Sequence, residues 1–464
     1  MLLVNLKLFM KNNMMLTLPT YNFIKLVRFK NLSLWDVKRI SKIALSSNFP
    51  IVKLGEVIQE ENVKYKIFDF PKQDFKILGV NNKTGLFDAY IEKGQNINQP
   101  YKKVEKGWLA YNPYRINVGS IGIKHDGITY DYISPAYVVF SCKTRLLPEF
   151  LFLLFKTNTF SKIIRENTTG SVRQNLSFEN LSSFQIPLPS IKEQENLVSL
   201  YKSLEIKSNN ENDEAIILEK QIDNYLFEQL GIEYNHKIKN KGLNFVRFKF
   251  LNKWGVEFNI GGGNLSNLLI SKVYPTEPLK KVVEINPANN FNDLTFDEVS
   301  FIPMDCISDD YGEITYTNVG SVKKSKGYTK FKEGDLLWAK ITPCMENGKS
   351  TIASNLLNGY GYGSTEYHVL REKKGGVKIE FVYHLLRTKL IREKATLSFT
   401  GSAGQQRVPK SFLDELYIPI PPIEKQLQII EQIDSYKRQI KNLHASSLAN
   451  KLNAVECFDK SIFI

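Results

Sequence analysis

Leu181 to Gln194 reads LSSFQIPLPSIKEQ, and Leu413 to Gln426 reads LDELYIPIPPIEKQ. Six of the fourteen positions are identical. Proline holds the residue before it extended and suits the first turn of a helix. Each segment therefore predicts a short strand, a bend and the start of a helix. A second pair lies upstream. Val27 to Val37 (VRFKNLSLWDV) and Val246 to Val256 (VRFKFLNKWGV) agree at seven of eleven positions. The offset is 219 at this pair and 232 at the first, so the copies run in the same order. Weaker echoes lie between. Gly107-Trp108-Leu109 parallels Gly334-Asp335-Leu336, Ser134 to Tyr137 parallels Ser364 to Tyr367, Pro148 to Phe155 falls near Glu380 to Leu386, and Thr169-Gly170-Ser171 matches Thr400-Gly401-Ser402. An ordered series of this kind predicts a tandem duplication. The ends of the copies agree and the middles do not, as expected of one scaffold carrying two different readers.

Working outward, residues 50–140 and 278–370 carry short β-type runs broken by Gly, Asn and Asp. Glu149 to Lys156 and Glu380 to Arg387 read as helices. Each copy then enters a long helix. In the second, Ile429, Ile433, Tyr436, Ile440 and Leu443 step by 4, 3, 4, 3, the seam of a coiled coil. In the first, Leu197, Leu200, Tyr201 and Leu204 line one face, and Leu218, Ile222, Tyr225 and Leu226 another. The polar run Ser208 to Glu214 between them reads equally as a kink or as a solvated turn of one helix. The expected fold class is α+β: two tandem mixed α/β domains with a pseudo-twofold internal repeat. Each is followed by a long helix, and the helices pair as an antiparallel coiled coil that holds the domains apart.

Composition narrows the function. The 464 residues hold 62 Lys+Arg against 48 Asp+Glu, a net charge of +14. That surplus favours a polyanion such as DNA, RNA or an anionic membrane, although AT-rich coding also inflates Lys, Asn and Ile. The four cysteines, Cys142, Cys306, Cys344 and Cys457, form no CxxC pair and read as reduced core residues. Met1 to Met15 lacks the order of a signal peptide, and Met14 and Met15 are alternative starts. The longest apolar run, Phe150 to Phe155, is too short for a bilayer. A cytoplasmic protein without a membrane partner is expected.

Several motifs taken together resemble the specificity subunit of type I restriction-modification systems. They are Gly334 to Lys340 (GDLLWAK), Ser364 to Tyr367 (STEY), Gly401-Ser402 with Gln405-Gln406, and Ile418 to Gln426 running into the helix. The first copy carries looser versions: Gly107-Trp108-Leu109, Ser134 to Tyr137, Gly170-Ser171, and Ile186 to Gln194. It departs at Trp108, where the acid after the glycine is missing, which puts that turn's geometry in question. The resemblance implies two target recognition domains, each reading one half of a split double-stranded DNA site. It also implies helices that dock two methyltransferase subunits and two ATP-dependent restriction subunits, and a chain with no catalytic residues and no cofactor. The expected division is an N-terminal extension (1–26), recognition domain 1 (27–190), spacer helix and linker (191–245), recognition domain 2 (246–422) and a C-terminal spacer helix (423–464).

A search for chemistry agrees with that implication. Gly348-Lys349-Ser350-Thr351 looks like the end of a P-loop, but its leading glycine would fall on Pro343. Asn112-Pro113-Tyr114-Arg115 resembles the tetrapeptide of adenine methyltransferases, with no convincing glycine-rich cofactor loop upstream. The histidines, His125, His236, His368, His384 and His444, have no metal-ligand spacing. Base readout needs Arg, Asn or Gln, which bond two base-edge atoms at once. The Gly-Ser loops supply Arg173, Gln174 and Asn175 in the first copy, and Gln405, Gln406 and Arg407 in the second. Tyr111, Asn112, Tyr114 and Arg115, with Lys340 and Lys349 at the matching place, form a second group of DNA-contact candidates, some for phosphates. Lys102 and Lys103 read as a solvated basic face. Two other readings remain open: the DNA-recognition part of a fused methyltransferase or nuclease, and a coiled-coil scaffold that binds no DNA.

Overall fold

The computed structural model describes residues 45–167, 175–232, 265, 268–402 and 404–464. The VRFK pair, Thr169 to Ser171, Arg173, Gln174 and His236 lie outside them. The chain forms two compact units, one of residues 1–208 and 448–464, the other of 209–447. Each therefore holds one copy and a part of both long helices.

In the first unit, β1 (Ile51–Lys53) pairs antiparallel with β11 (Gln185–Pro187). A four-stranded sheet has the order β2 (Ile58–Glu60), β10 (Val138–Cys142), β7 (Leu109–Tyr111), β8 (Ile121–Ile123). The second unit repeats both. β12 (Thr276–Pro278) pairs with β21 (Tyr417–Pro419). The four-stranded sheet runs β13 (Val283–Ile285), β20 (Tyr367–Glu372), β17 (Leu336–Ala339), β18 (Ser350–Ile352). The third sheet differs between copies. In the first unit it has five strands, in the order β3 (Lys64–Tyr65), β6 (Tyr101–Lys103), β9 (Tyr132–Ile133), β4 (Asp74–Asn81), β5 (Gly85–Lys93). In the second it has four, β15 (Asn318–Ser321), β14 (Glu298–Ile302), β19 (Tyr360–Gly363), β16 (Thr329–Lys332). The scaffold is thus duplicated, and the strand topology of the copies differs in one sheet each.

Backbone bonds repeat with the scaffold. Leu54 N–H donates to Phe184 O in the first copy, as Leu279 N–H does to Leu416 O in the second. Leu188 N–H donates to Pro50 O, as Ile420 N–H does to Pro275 O. The turn after Gly107 also repeats despite the missing acid. Gly107 and Gly334 both have φ +81, a left-handed value that glycine adopts without penalty. Trp108 N–H bonds Glu105 O as Asp335 N–H bonds Lys332 O, so the turn is the same.

The helices α1 (Pro148–Lys156) and α2 (Asn158–Asn167) correspond to α4 (Ile379–Arg387) and α5 (Lys389–Thr396). The long helices are α3 (Ile191–Gln229) and α6 (Ile423–Ile462). A shared glutamine ties them to the domains. The Gln194 amide oxygen accepts from Leu147 N–H at 2.8 Å, and its nitrogen donates to Arg145 O and Pro189 O. The Gln426 oxygen accepts from Lys378 N–H at 2.9 Å and its nitrogen donates to Pro421 O. Leu147 and Lys378 are the N-cap residues of α1 and α4. Both glutamines are buried. Removing either side chain leaves a buried backbone group without its partner. Gln194→Ala and Gln426→Ala are each expected to cost about 1–3 kcal/mol in a urea titration. Gln426→Glu should do no better than Gln426→Ala, because a carboxylate cannot donate to Pro421 O; full stability in Gln426→Glu would contradict this role.

The polar run Ser208–Glu214 lies inside a single helix, α3. Its buried positions Gln194, Tyr201, Ser208 and Ala215 recur every seven residues. The small Ser208 and Ala215 continue this spacing of buried positions where no large apolar residue marks it. Leu200, assigned to the inner face by spacing, is instead 49% exposed, and Val198 takes its place. Within the second unit α3 and α6 run antiparallel. Tyr225 meets Tyr436 edge-on at 6.0 Å, Gln229 accepts from Lys425, and Ser446 donates to Glu211. Within the first unit Phe458 of α6 packs on Tyr201 of α3.

Both helix ends finish on the start of a domain. Lys272 N–H donates to Gly231 O and the Ser271 hydroxyl to Leu230 O in the second unit. Ile464 N–H donates to Ser46 O and the Ser47 hydroxyl to Ile462 O in the first. Among the cysteines, Cys306 is buried but Cys457 is exposed, contrary to its reading as a core residue.

Candidate nucleic-acid interface

In the second copy three segments weave together at the end of β17. Lys340 N–H donates to Glu366 O, Val408 N–H to Lys340 O, and Thr342 N–H to Gln406 O. Arg407 and Thr400 exchange both backbone bonds, closing the Gly-Ser loop. Lys340 and Gln405 to Arg407, chosen from separate motifs, therefore share one platform. Beneath it lies Trp338, 1% exposed, stacked on Phe412 at 7° and on His368 at 19°. His368 bridges Val408 O through Nε2 and the Asn286 amide through Nδ1. Burial depresses its pKa, favouring the neutral ring these two contacts require.

Arg407 is not free to read a base in this arrangement. Its Nε and one terminal nitrogen donate to the two Glu366 oxygens at 2.8 Å each, and the other terminal nitrogen donates to Gln405 O. The guanidinium hydrogen bond to Glu366 holds that carboxyl below its usual range. Glu366, from the Ser364 to Tyr367 motif, was missed as a site residue. Only the fold places it against the Gly-Ser loop. Gln405 is exposed and Gln406 half-buried. Lys349 is half-buried and donates its ammonium to Met304 O at 3.2 Å. Ser350 and Thr351, which follow it, lie in β18 rather than in a phosphate loop.

The first copy builds the same platform from different residues. Leu176 N–H donates to Pro113 O, as Val408 N–H does to Lys340 O. Tyr111 occupies the place of Trp338 in the strand register: Leu109 pairs with Ile123 as Leu336 pairs with Ile352. Tyr111 is fully buried and its hydroxyl donates to Leu176 O. Its choice as a DNA contact is therefore corrected: it has no surface to offer, and it supports the loop from below. Burial also raises its pKa, keeping the phenol a donor. Asn112 accepts from Tyr114 N–H through its side chain, an Asx turn that presents Tyr114 (54% exposed) and Arg115 outward. Asn175, half-buried, precedes Leu176 on this platform; the placements of Arg173 and Gln174 are not described.

Lys102 is also corrected. It is 4% exposed, and its ammonium donates to Tyr137 O at 2.9 Å, with burial lowering its pKa. Lys103 stays near the surface beside Glu105. Among the described residues no cluster of His, Cys, Asp or Glu has the arrangement of a metal site, and no helix is long and apolar enough to cross a membrane.

The chain is 39% identical over 155 residues to the type I restriction enzyme EcoEI specificity subunit of Escherichia coli, covering 33% of this chain and 26% of that one. The EcoAI specificity subunit of the same organism is 38% identical over 175 residues, covering 37% and 29%. The chain thus matches less than a third of the length of either relative. A solved chain from a study of complex assembly and conformational transition of the type I R-M system aligns with TM-score 0.54. It covers 90% of this chain and 98% of its own, and at 14% identity it supports the fold alone. The model of the type I restriction modification DNA specificity domain matches twice, over residues 46–220 and 276–453. These two matches cover the duplicated scaffold and most of the chain, which belongs to the family of type I restriction-modification DNA specificity domain proteins.

Proposed function

We propose that this chain is the DNA-reading subunit of a type I restriction-modification complex. The observation that carries this is a duplicated scaffold with equivalent loop platforms and two unlike third sheets. A repeated frame with different readers suits a bipartite, asymmetric target. In the first copy Asn112, Tyr114, Arg115 and Asn175, with Arg173 and Gln174, are the proposed DNA contacts. In the second they are Lys340, Lys349, Gln405 and Gln406. Arg407 joins them as a positioning residue, or as a reader if Glu366 releases it. Tyr111 is left out. The chain itself is non-catalytic and cytoplasmic. Two methyltransferase subunits and two ATP-dependent restriction subunits are its proposed partners.

The test is methylation. The purified chain alone should not methylate DNA in the presence of S-adenosylmethionine, and should direct methylation once a methyltransferase partner is added. Sequencing the modified sites should give two unlike half-sites. Exchanging residues of about 50–180 for the same region of a relative should change one half-site only. Methyl transfer by the isolated chain, or a change in both half-sites, would sink the reading.

A further inference from the structure

The second domain carries a basic arm that lies outside the repeated sequence motifs. Residues 322–332 read VKKSKGYTKFK, with lysines at 323, 324, 326, 330 and 332. A 3-10 turn, Val322–Ser325, leads through Gly327 into β16. Two pegs fix the arm to the domain. Ser325 is 1% exposed, with its hydroxyl on Val322 O, and Phe331 is fully buried. Around the pegs Lys323, Lys324, Lys326 and Lys332 are exposed, and Lys330 is half-buried with its ammonium 5.0 Å from the centre of the Phe291 ring. Among the described residues none of the five forms an ion pair. Like charges held close on a short anchored segment repel one another, and a polyanion relieves that repulsion.

Tyr328 stands between two clefts and gives the arm a direction. On one side a cleft of about 530 Å³ contains Lys324 but also the acids Asp297 and Glu298. On the other a cleft of about 340 Å³ is lined by Asn286, Asn289, Tyr328, Lys330 and Lys340, with no carboxylate among its lining residues. Lys340 belongs to the loop platform, so the second cleft joins the arm to the proposed reading site.

We infer that Lys323, Lys324, Lys326, Lys330 and Lys340 clamp the phosphate backbone of duplex DNA, with Lys330 and Lys340 holding it on the carboxylate-free side of Tyr328. The clamp positions the second domain and carries no base information, since phosphates are the same at every step. This rests on the DNA-binding reading above.

The test uses the full chain and a labelled mixed-sequence DNA duplex, with affinity measured by anisotropy over a salt series. Each lost phosphate contact lowers the slope of log affinity against log salt by about 0.9. The K323Q/K324Q/K326Q variant should therefore be shallower by about 2.7, and K330Q/K340Q by about 1.8. A control, K202Q/K207Q/K451Q, removes the same charge from exposed positions of the long helices and should change the slope by less than about 1. With the methyltransferase partner, the arm variant should still modify the same sequence. Equal slopes for arm and control variants, in a wild-type chain that binds, would overturn the clamp alone. An effect of the arm without one of K330Q/K340Q would overturn the side assigned to the duplex. A wild-type chain with no salt-dependent DNA binding would overturn the clamp and the DNA reading together.

Discussion

Asp335→Ala is expected to destabilise the second domain by about 3–5 kcal/mol, because it strands a buried guanidinium. The Asp335 side chain is 1% exposed and that of Arg371 is 16% exposed. Arg371 donates to both carboxylate oxygens, at 2.6 and 2.7 Å, and also to Asn289. Asp335 further accepts from Lys332 N–H, closing its own turn. The first copy indicates how the pair can be removed safely. Trp108 stands in place of Asp335. The strand register, Leu336 to Leu370 and Leu109 to Phe140, puts Ser141 in place of Arg371. Acid and base are both absent there while the turn is kept. Asp335→Ala with Arg371→Met should therefore recover most of the loss, since removing both members of a buried pair is far cheaper than removing one. Chemical denaturation of the two variants and the wild type measures this. An Asp335→Ala chain unfolding at the wild-type midpoint, or a double variant no better than the single, would refute it.

Phe458→Ala should weaken the first unit by about 3–5 kcal/mol, although it lies six residues from the end of the chain. Phe458 is 3% exposed and packs on Phe150 at 5.6 Å and Tyr201 at 6.3 Å. With Ala454 and Ile462 it belongs to the core built from residues 54–201. A cavity of phenyl size there removes contacts from α1, α3 and α6 at once. The counterpart in the second unit is Leu226, fully buried in the same core as Leu230, Ile429 and Ile433. Leu226→Ala should do the same to the second unit, by about 2–5 kcal/mol. Hydrogen exchange separates the two. Phe458→Ala should lower protection in β7 and β10 and spare β17 and β20, and Leu226→Ala should do the reverse. Equal loss of protection in both units would contradict this division of the core.

Much of this organisation was legible in the chain itself. The duplication, its order, and the strand–bend–helix at each Ile-Pro-x-Pro follow from local rules, because proline restricts its neighbours whatever surrounds them. The turn at Gly334 was legible because a left-handed φ selects glycine. The long helices were legible where large apolar side chains mark the seam, as at Ile429, Ile433 and Ile440. At Ser208 and Ala215 the buried positions are small residues, and a pattern read from hydrophobicity cannot see them. The residues at the platforms were found by chemical type, but their roles depend on partners distant in sequence. Tyr111 looked like a contact because a tyrosine in a polar turn has the right chemistry; the sheet buries it under Leu176. Arg407 looked like a base reader, and the fold sets Glu366, 41 residues away, against its guanidinium. Lys102 looked solvated beside Lys103, but neighbours on a strand face opposite sides, and Lys102 faces the inside. The sequence alone determined the repeat, the breaks between elements and the charge. Tertiary structure decided which side chains remain exposed, because burial and ion pairing arise between strands and loops that meet only when the chain folds.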